Sequence, residues 1–70
     1  MTLDQAVEYA AEHLPEGWKI EICVEKGAGW CDLYDPEGDF RSTPDYDSET
    51  KLGDQVREIV GIAKVLDKEG

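Results

Sequence analysis

Residues 18–43 read WKIEICVEKGAGWCDLYDPEGDFRST, and this run decides the fold. Its first part alternates with a period of two: Trp18, Ile20, Ile22 and Val24 fall on one face, Lys19, Glu21, Cys23 and Glu25 on the other. That pattern predicts a strand over Trp18–Glu25. Gly27, Ala28 and Gly29 then read as a turn into a second strand, Trp30–Asp35. Asp35-Pro36-Glu37-Gly38 is a strong turn signal, because Pro presets one φ and Gly accepts a positive one, and a short third strand over about Asp39–Thr43 follows it. The expected sheet is a three-stranded antiparallel meander. Its register has two candidates. With Val24 opposite Cys31, the core face takes Cys31 and Leu33, and Trp30, Asp32 and Tyr34 stay outside. With Val24 opposite Trp30, the core takes Trp30 and Tyr34 but also Asp32, an unpaired carboxylate that is costly to bury. The first is preferred, and either leaves aromatic or apolar surface among acids on the outer face.

Helical patterns flank the sheet. Before it, Thr2 and Gln5 form a capping-box pattern opening a helix over about Leu3–Leu14, which Pro15 and Gly17 stop. Its expected apolar stripe is Leu3, Val7, Ala10, Ala11 and Leu14, with Ala6 beside it. After the sheet, a loop over Pro44–Ser48 precedes a second helix that starts between Ser48 and Asp54. Leu52, Val56, Ile59, Val60, Ala63 and Leu66 mark its core stripe, widened by Ile62 and Val65. Gly61 inside this helix signals either a close approach or simple tolerance. The reading is one α+β domain over residues 1–70, ordered helix-strand-strand-strand-helix, with both helices on one face of the sheet. That order resembles the double-stranded RNA-binding domain. The likeness is one of topology, because the stretch where such domains carry phosphate-gripping lysines reads DYDSETKLGDQVRE here.

Charge excludes several functions. Seventeen acidic residues against seven basic ones give a formal net charge of -10 on 70 residues, which disfavours direct binding to nucleic acid or an anionic membrane. A chain this short buries only about 60% of its unfolded surface and leaves little room for a cofactor cleft. Neither a signal peptide nor a transmembrane segment is read from the acidic, amphipathic start MTLDQAVEYAAEH, so a cytoplasmic location with reduced Cys23 and Cys31 is expected. These cysteines match no zinc spacing and read as small strand residues. His13 reads as an exposed residue near a helix C-terminus. No spacing selects a catalytic pair among the carboxylates, and Asp45, Asp47 and Glu49 lack the glycine and the bidentate glutamate of a calcium loop. The expectation is a non-enzyme without cofactor or metal.

What remains is the acidic surface itself. Asp32, Asp35, Glu37, Asp39, Asp45, Asp47 and Glu49 crowd one segment, answered only by Arg41, while Asp4, Glu8 and Glu12 form a like-charge row at i, i+4 and i+8 on the first helix. Together they approach the charge density of a nucleic-acid backbone, with about 6 Å per carboxylate along the helix against one phosphate per roughly 3.4 Å of a DNA strand. In size, charge and lack of catalytic motifs the chain resembles phage-encoded inhibitors of bacterial defence, including anti-CRISPR proteins. That resemblance implies a monomer acting in a bacterial cytoplasm on a basic nucleic-acid-binding protein, such as a CRISPR effector. The ten acids named here, with Trp30 and Tyr34, are the expected partner-binding residues. A generic interaction module using the outer sheet face is the alternative. Reversing charge at Asp35, Glu37 and Asp39 together is expected to weaken binding without loss of stability.

Overall fold

The computed structural model describes residues 1–47 and 49–69, ordered α1 (Leu3–His13), β1 (Lys19–Glu25), β2 (Ala28–Tyr34), β3 (Phe40–Arg41) and α2 (Leu52–Glu69). Ser48, at the end of the predicted loop, lies outside the described residues. The fold is α+β, with both helices against one face of a three-stranded antiparallel sheet of order β1-β2-β3. Among the described residues, no helix is long and apolar enough to cross a membrane.

The predicted capping box opens α1: Thr2 Oγ1 accepts the Gln5 N–H at 3.2 Å, and Gln5 Oε1 accepts the Thr2 N–H at 2.9 Å. The helix ends at His13, one residue earlier than expected. Leu14 is already extended (φ -62, ψ 137), as suits a residue preceding proline.

The sheet corrects three local expectations. The first hairpin turns on two residues, Lys26 and Gly27, so β2 begins at Ala28 and not at Trp30. Gly27 supplies the positive φ (+89) this short connection needs. Val24 therefore faces Gly29, neither Cys31 nor Trp30, while Ile22 faces Cys31 and Ile20 faces Leu33. A slide of two residues preserves the faces of the preferred register. Cys31 and Leu33 point inward and Trp30, Asp32 and Tyr34 outward, but Val24, opposite only a glycine at the hairpin tip, is 73% exposed. β3 is also shorter than the predicted Asp39–Thr43. It pairs only Arg41 with Leu33 and Phe40 with Tyr34.

The core lies between α2 and the inner sheet face. Val56, Ile59, Val60 and Ala63 meet Leu33, Cys31 and Trp18, and α1 contributes Ala6 and Ala10. The α1 stripe is thus rotated from its predicted position. Ala6 and Ala10 are buried, Tyr9 and Leu14 half-buried, and Leu3, Val7 and Ala11 exposed. Branched residues of α2 fill the shared space, leaving an alanine's width for α1. On α2, Val65 is likewise exposed, not part of the stripe. Trp18 Nε1 donates to Asp67 Oδ1 at 3.1 Å, tying the start of the sheet to the end of α2.

Of the two readings of Gly61, simple tolerance holds, and the close approach lies at Gly53. A Cβ on Gly61 would meet nothing within 4 Å, whereas one on Gly53 would lie 2.6 Å from the Met1 carbonyl oxygen and 3.1 Å from that of Thr2. The two helices touch backbone to backbone at their N-termini. The terminal ammonium of Met1 lies 3.7 Å from Asp54 Oδ1 at the same junction.

Candidate functional site: the uncovered sheet face and the cleft beside it

Because side chains alternate along a strand, the face turned away from the helices carries Lys19, Glu21 and Cys23 from β1, Trp30, Asp32 and Tyr34 from β2, and Phe40 from β3. No described element covers it. Tyr34 and Phe40 stack edge to face with centroids 5.9 Å apart, and Lys19 Nζ sits 4.9 Å from the Tyr34 centroid and 3.2 Å from Glu21 Oε1. Trp30 is 39% and Phe40 57% exposed, an unusual cost for large rings on a small domain. Partial burial and then the carboxylates of Glu21 and Asp32 push the Tyr34 phenol up, against the lowering effect of Lys19. Trp30 and Tyr34 lie on the outer face, as the preferred register predicts. Phe40 is not among the expected partner-binding residues, although the predicted meander places it beside Tyr34.

The register brings Glu21 opposite Asp32, with Cys23 two residues along β1 from Glu21 and diagonal to Asp32, so that donor atoms of the three lie within 4.8 Å of one another. This is the one group of potential metal ligands among the described residues. The thiol is within donating distance of Asp32 Oδ2, at 3.9 Å. Burial, and after it the charges of Asp32 and Glu21, raise its pKa. The thiol–carboxylate contact and the Lys19–Glu21 pair join the group into one hydrogen-bonded cluster. Cys23 is therefore expected to react slowly with iodoacetamide near pH 8, and Asp32→Asn to speed it. Equal rates for the two proteins, or a rate matching a free cysteine, would contradict this arrangement.

The seven acids of residues 32–49 do not form one patch. β2 spans seven residues, roughly 20 Å at the usual strand rise, and separates them. At one end the β2–β3 turn carries Asp35, Glu37 and Asp39, with Pro36 against Gly17. At the other end Asp45, Asp47 and Glu49 lead toward α2, whose Leu52 lies against Gly29. Asp32 alone lies on the uncovered face. Asp4, Glu8 and Glu12 are exposed on α1, across the core from that face.

Two of these acids serve the backbone. Asp47 Oδ1 accepts the N–H groups of Glu49 and Thr50 and the Thr50 hydroxyl. Asp35 Oδ1 accepts those of Glu37 and Asp39, each at 3.0 Å, and its Oδ2 meets Arg41 Nη1 at 3.4 Å. The Asp35 side chain is only 12% exposed. The expectation that reversing Asp35, Glu37 and Asp39 together spares stability is therefore corrected, since lysine at position 35 removes an acceptor that organises the turn. Partial burial raises the Asp35 pKa, but the Asp39 and Glu37 N–H groups and the Arg41 guanidinium outweigh it and hold it below the ordinary aspartate value. A depressed carboxylate stabilises above its unfolded pKa, and that contribution fades as pH falls through the folded value. In acid titrations followed by NMR, the Glu37 and Asp39 amides should shift at a pH below the ordinary aspartate range. A midpoint at or above that range would contradict the turn geometry.

Beyond Arg41 the chain leaves β2, and residues 42–47 run beside it at a distance. The gap is a cleft of about 830 Å³ lined by Trp30, Phe40, Tyr46 and Leu52 together with Asp32, Asp45 and Asp47, and by no lysine, arginine or histidine among the described residues. Beneath it, burial and the Glu58 charge raise the Tyr46 pKa, and the hydroxyl has no hydrogen-bond partner among the described residues. No protein-family model, curated protein or solved structure matches the chain.

Proposed function

We propose that this protein is a non-catalytic binding module that docks its uncovered sheet face on a basic protein surface of the kind that ordinarily holds nucleic acid. The observation that carries this reading is the face itself: Trp30, Tyr34 and Phe40 stand among Glu21 and Asp32, and the neighbouring cation, Lys19, is already engaged by Glu21. Exposed rings beside carboxylates suit arginine and lysine, which stack on the rings and pair with the acids. Elsewhere the ion pairs among the described residues engage only Glu12, Asp35 and Asp54, so most carboxylates remain free to steer a cationic partner. Because the α1 row and the sheet face lie on opposite sides, the charge supports long-range attraction more than imitation of one phosphate row. Glu21 and Asp32 meet on an open sheet face with no walls to enclose a substrate, and this favours binding over catalysis.

The test is affinity capture from a bacterial lysate at low salt, with wild type and a Trp30→Ser/Phe40→Ser variant as parallel baits. The expected result is a basic nucleic-acid-binding protein held by wild type alone and displaced by duplex DNA. Equal retention on both baits would rule out the face, and failure of DNA to displace the protein would rule out this class of partner.

A further inference from the structure

The early end of β3 leaves part of β2 without a neighbour. Along a strand, backbone N–H and C=O groups point to alternate edges. Asp35 donates its N–H to the Asp39 carbonyl at 3.0 Å, and Leu33 faces Arg41, so the odd-numbered residues of β2 address the β3 side. Cys31 and Gly29 must address the same side, one and two steps past the last β3 partner. No described backbone or side-chain group bonds to them there, and the edge opens into the cleft. Such an edge is a template for another strand.

We propose that this open edge of β2 takes an extended basic segment of a partner protein as an added strand. The proposal rests on the basic partner inferred above and specifies how it is held. Strand addition supplies affinity through main-chain hydrogen bonds and specificity through alternate side chains. One set of side chains would lie by Trp30 and Phe40, and cationic ones would meet Asp32, Asp45 and Asp47, in a cleft whose described lining has no cation of its own. Charge also argues against a second copy of this chain, since pairing two β2 edges would bring two sets of these carboxylates together in molecules of net charge -10.

The edge can be tested without the natural partner. The probe is a short synthetic peptide alternating valine with arginine and blocked at both ends, compared with the same peptide carrying backbone N-methyl groups on alternate residues. In the free protein the Gly29 and Cys31 amides should exchange faster than those of Trp30 and Asp32, which face β1. Adding the unmodified peptide should protect both, and the methylated peptide, equal in charge, should not. Gly29→Pro removes an N–H that makes no internal bond, so it should leave folding intact and weaken the unmodified peptide by roughly two- to tenfold. Protection of Cys31 in the free protein, or equal binding of the two peptides, would overturn the added strand. A captured partner that is lost on Trp30→Ser/Phe40→Ser but indifferent to Gly29→Pro would overturn it too, while leaving the proposed function standing.

Discussion

Replacing Ile59 by alanine is expected to cost about 2–5 kcal/mol. Ile59 is fully buried, with Val60 and Val56 along the same helix and Leu33 and Ala6 in the same core, so the lost methyl groups would leave a void that few neighbours can fill. At roughly 0.05–0.15 kcal/mol per residue, a domain this short has about 4–10 kcal/mol of total stability, so the variant should lose a large share of it and melt far below wild type. Thermal melting followed by circular dichroism decides the matter. A soluble Ile59→Ala protein melting like wild type would remove α2 from the centre of the core.

The second large effect is expected at a residue with no side chain. Gly53→Ala adds a methyl group 2.6 Å from the Met1 carbonyl oxygen, a backbone atom that moves only if the N-termini of α1 and α2 separate. Alanine gains about 1 kcal/mol in helix propensity, but forced repacking costs about 1–3 kcal/mol and also strains the capping box at Thr2. Net destabilisation should follow. Gly61→Ala is the internal control, because its methyl group meets nothing within 4 Å, so the propensity gain should appear undiminished. Opposite shifts in melting temperature are predicted for the two variants. If both stabilise, the helix junction is not as close as described.

The pairing of legible and illegible features has physical causes. The alternation in residues 18–25 and the turn residues around Pro36 and Gly38 are local signals that suffice for the meander, whereas the faces of β2 follow only from preferring the register that keeps Asp32 out of the core. Hairpin length does not follow from them, because Gly27 and Gly29 both accept a turn and only the pairing of Glu25 with Ala28 distinguishes them. The buried face of α1 differs from its predicted one for a similar reason. Leu3 and Val7 are more hydrophobic than Ala6 and Ala10, but the bulk of α2 decides which side chains fit beneath. Gly53 gave no local sign of its role, since its contact is with residues about fifty positions earlier. The acidic run from Asp32 to Glu49 looked continuous in sequence, and the length of β2 divides it in space. The cleft and the open edge of β2 arise from the early departure of β3, which no local residue pattern marks.

If the proposed function holds, the uncovered sheet face meets the partner. Amide chemical-shift perturbation of the ¹⁵N-labelled protein on adding the DNA-displaceable partner, at low and then physiological salt, tests it most directly. The largest shifts are expected at Glu21, Trp30, Asp32, Tyr34 and Phe40, diminishing as salt screens the carboxylates. Largest shifts along Asp4, Glu8 and Glu12, with the sheet face unmoved, would contradict it.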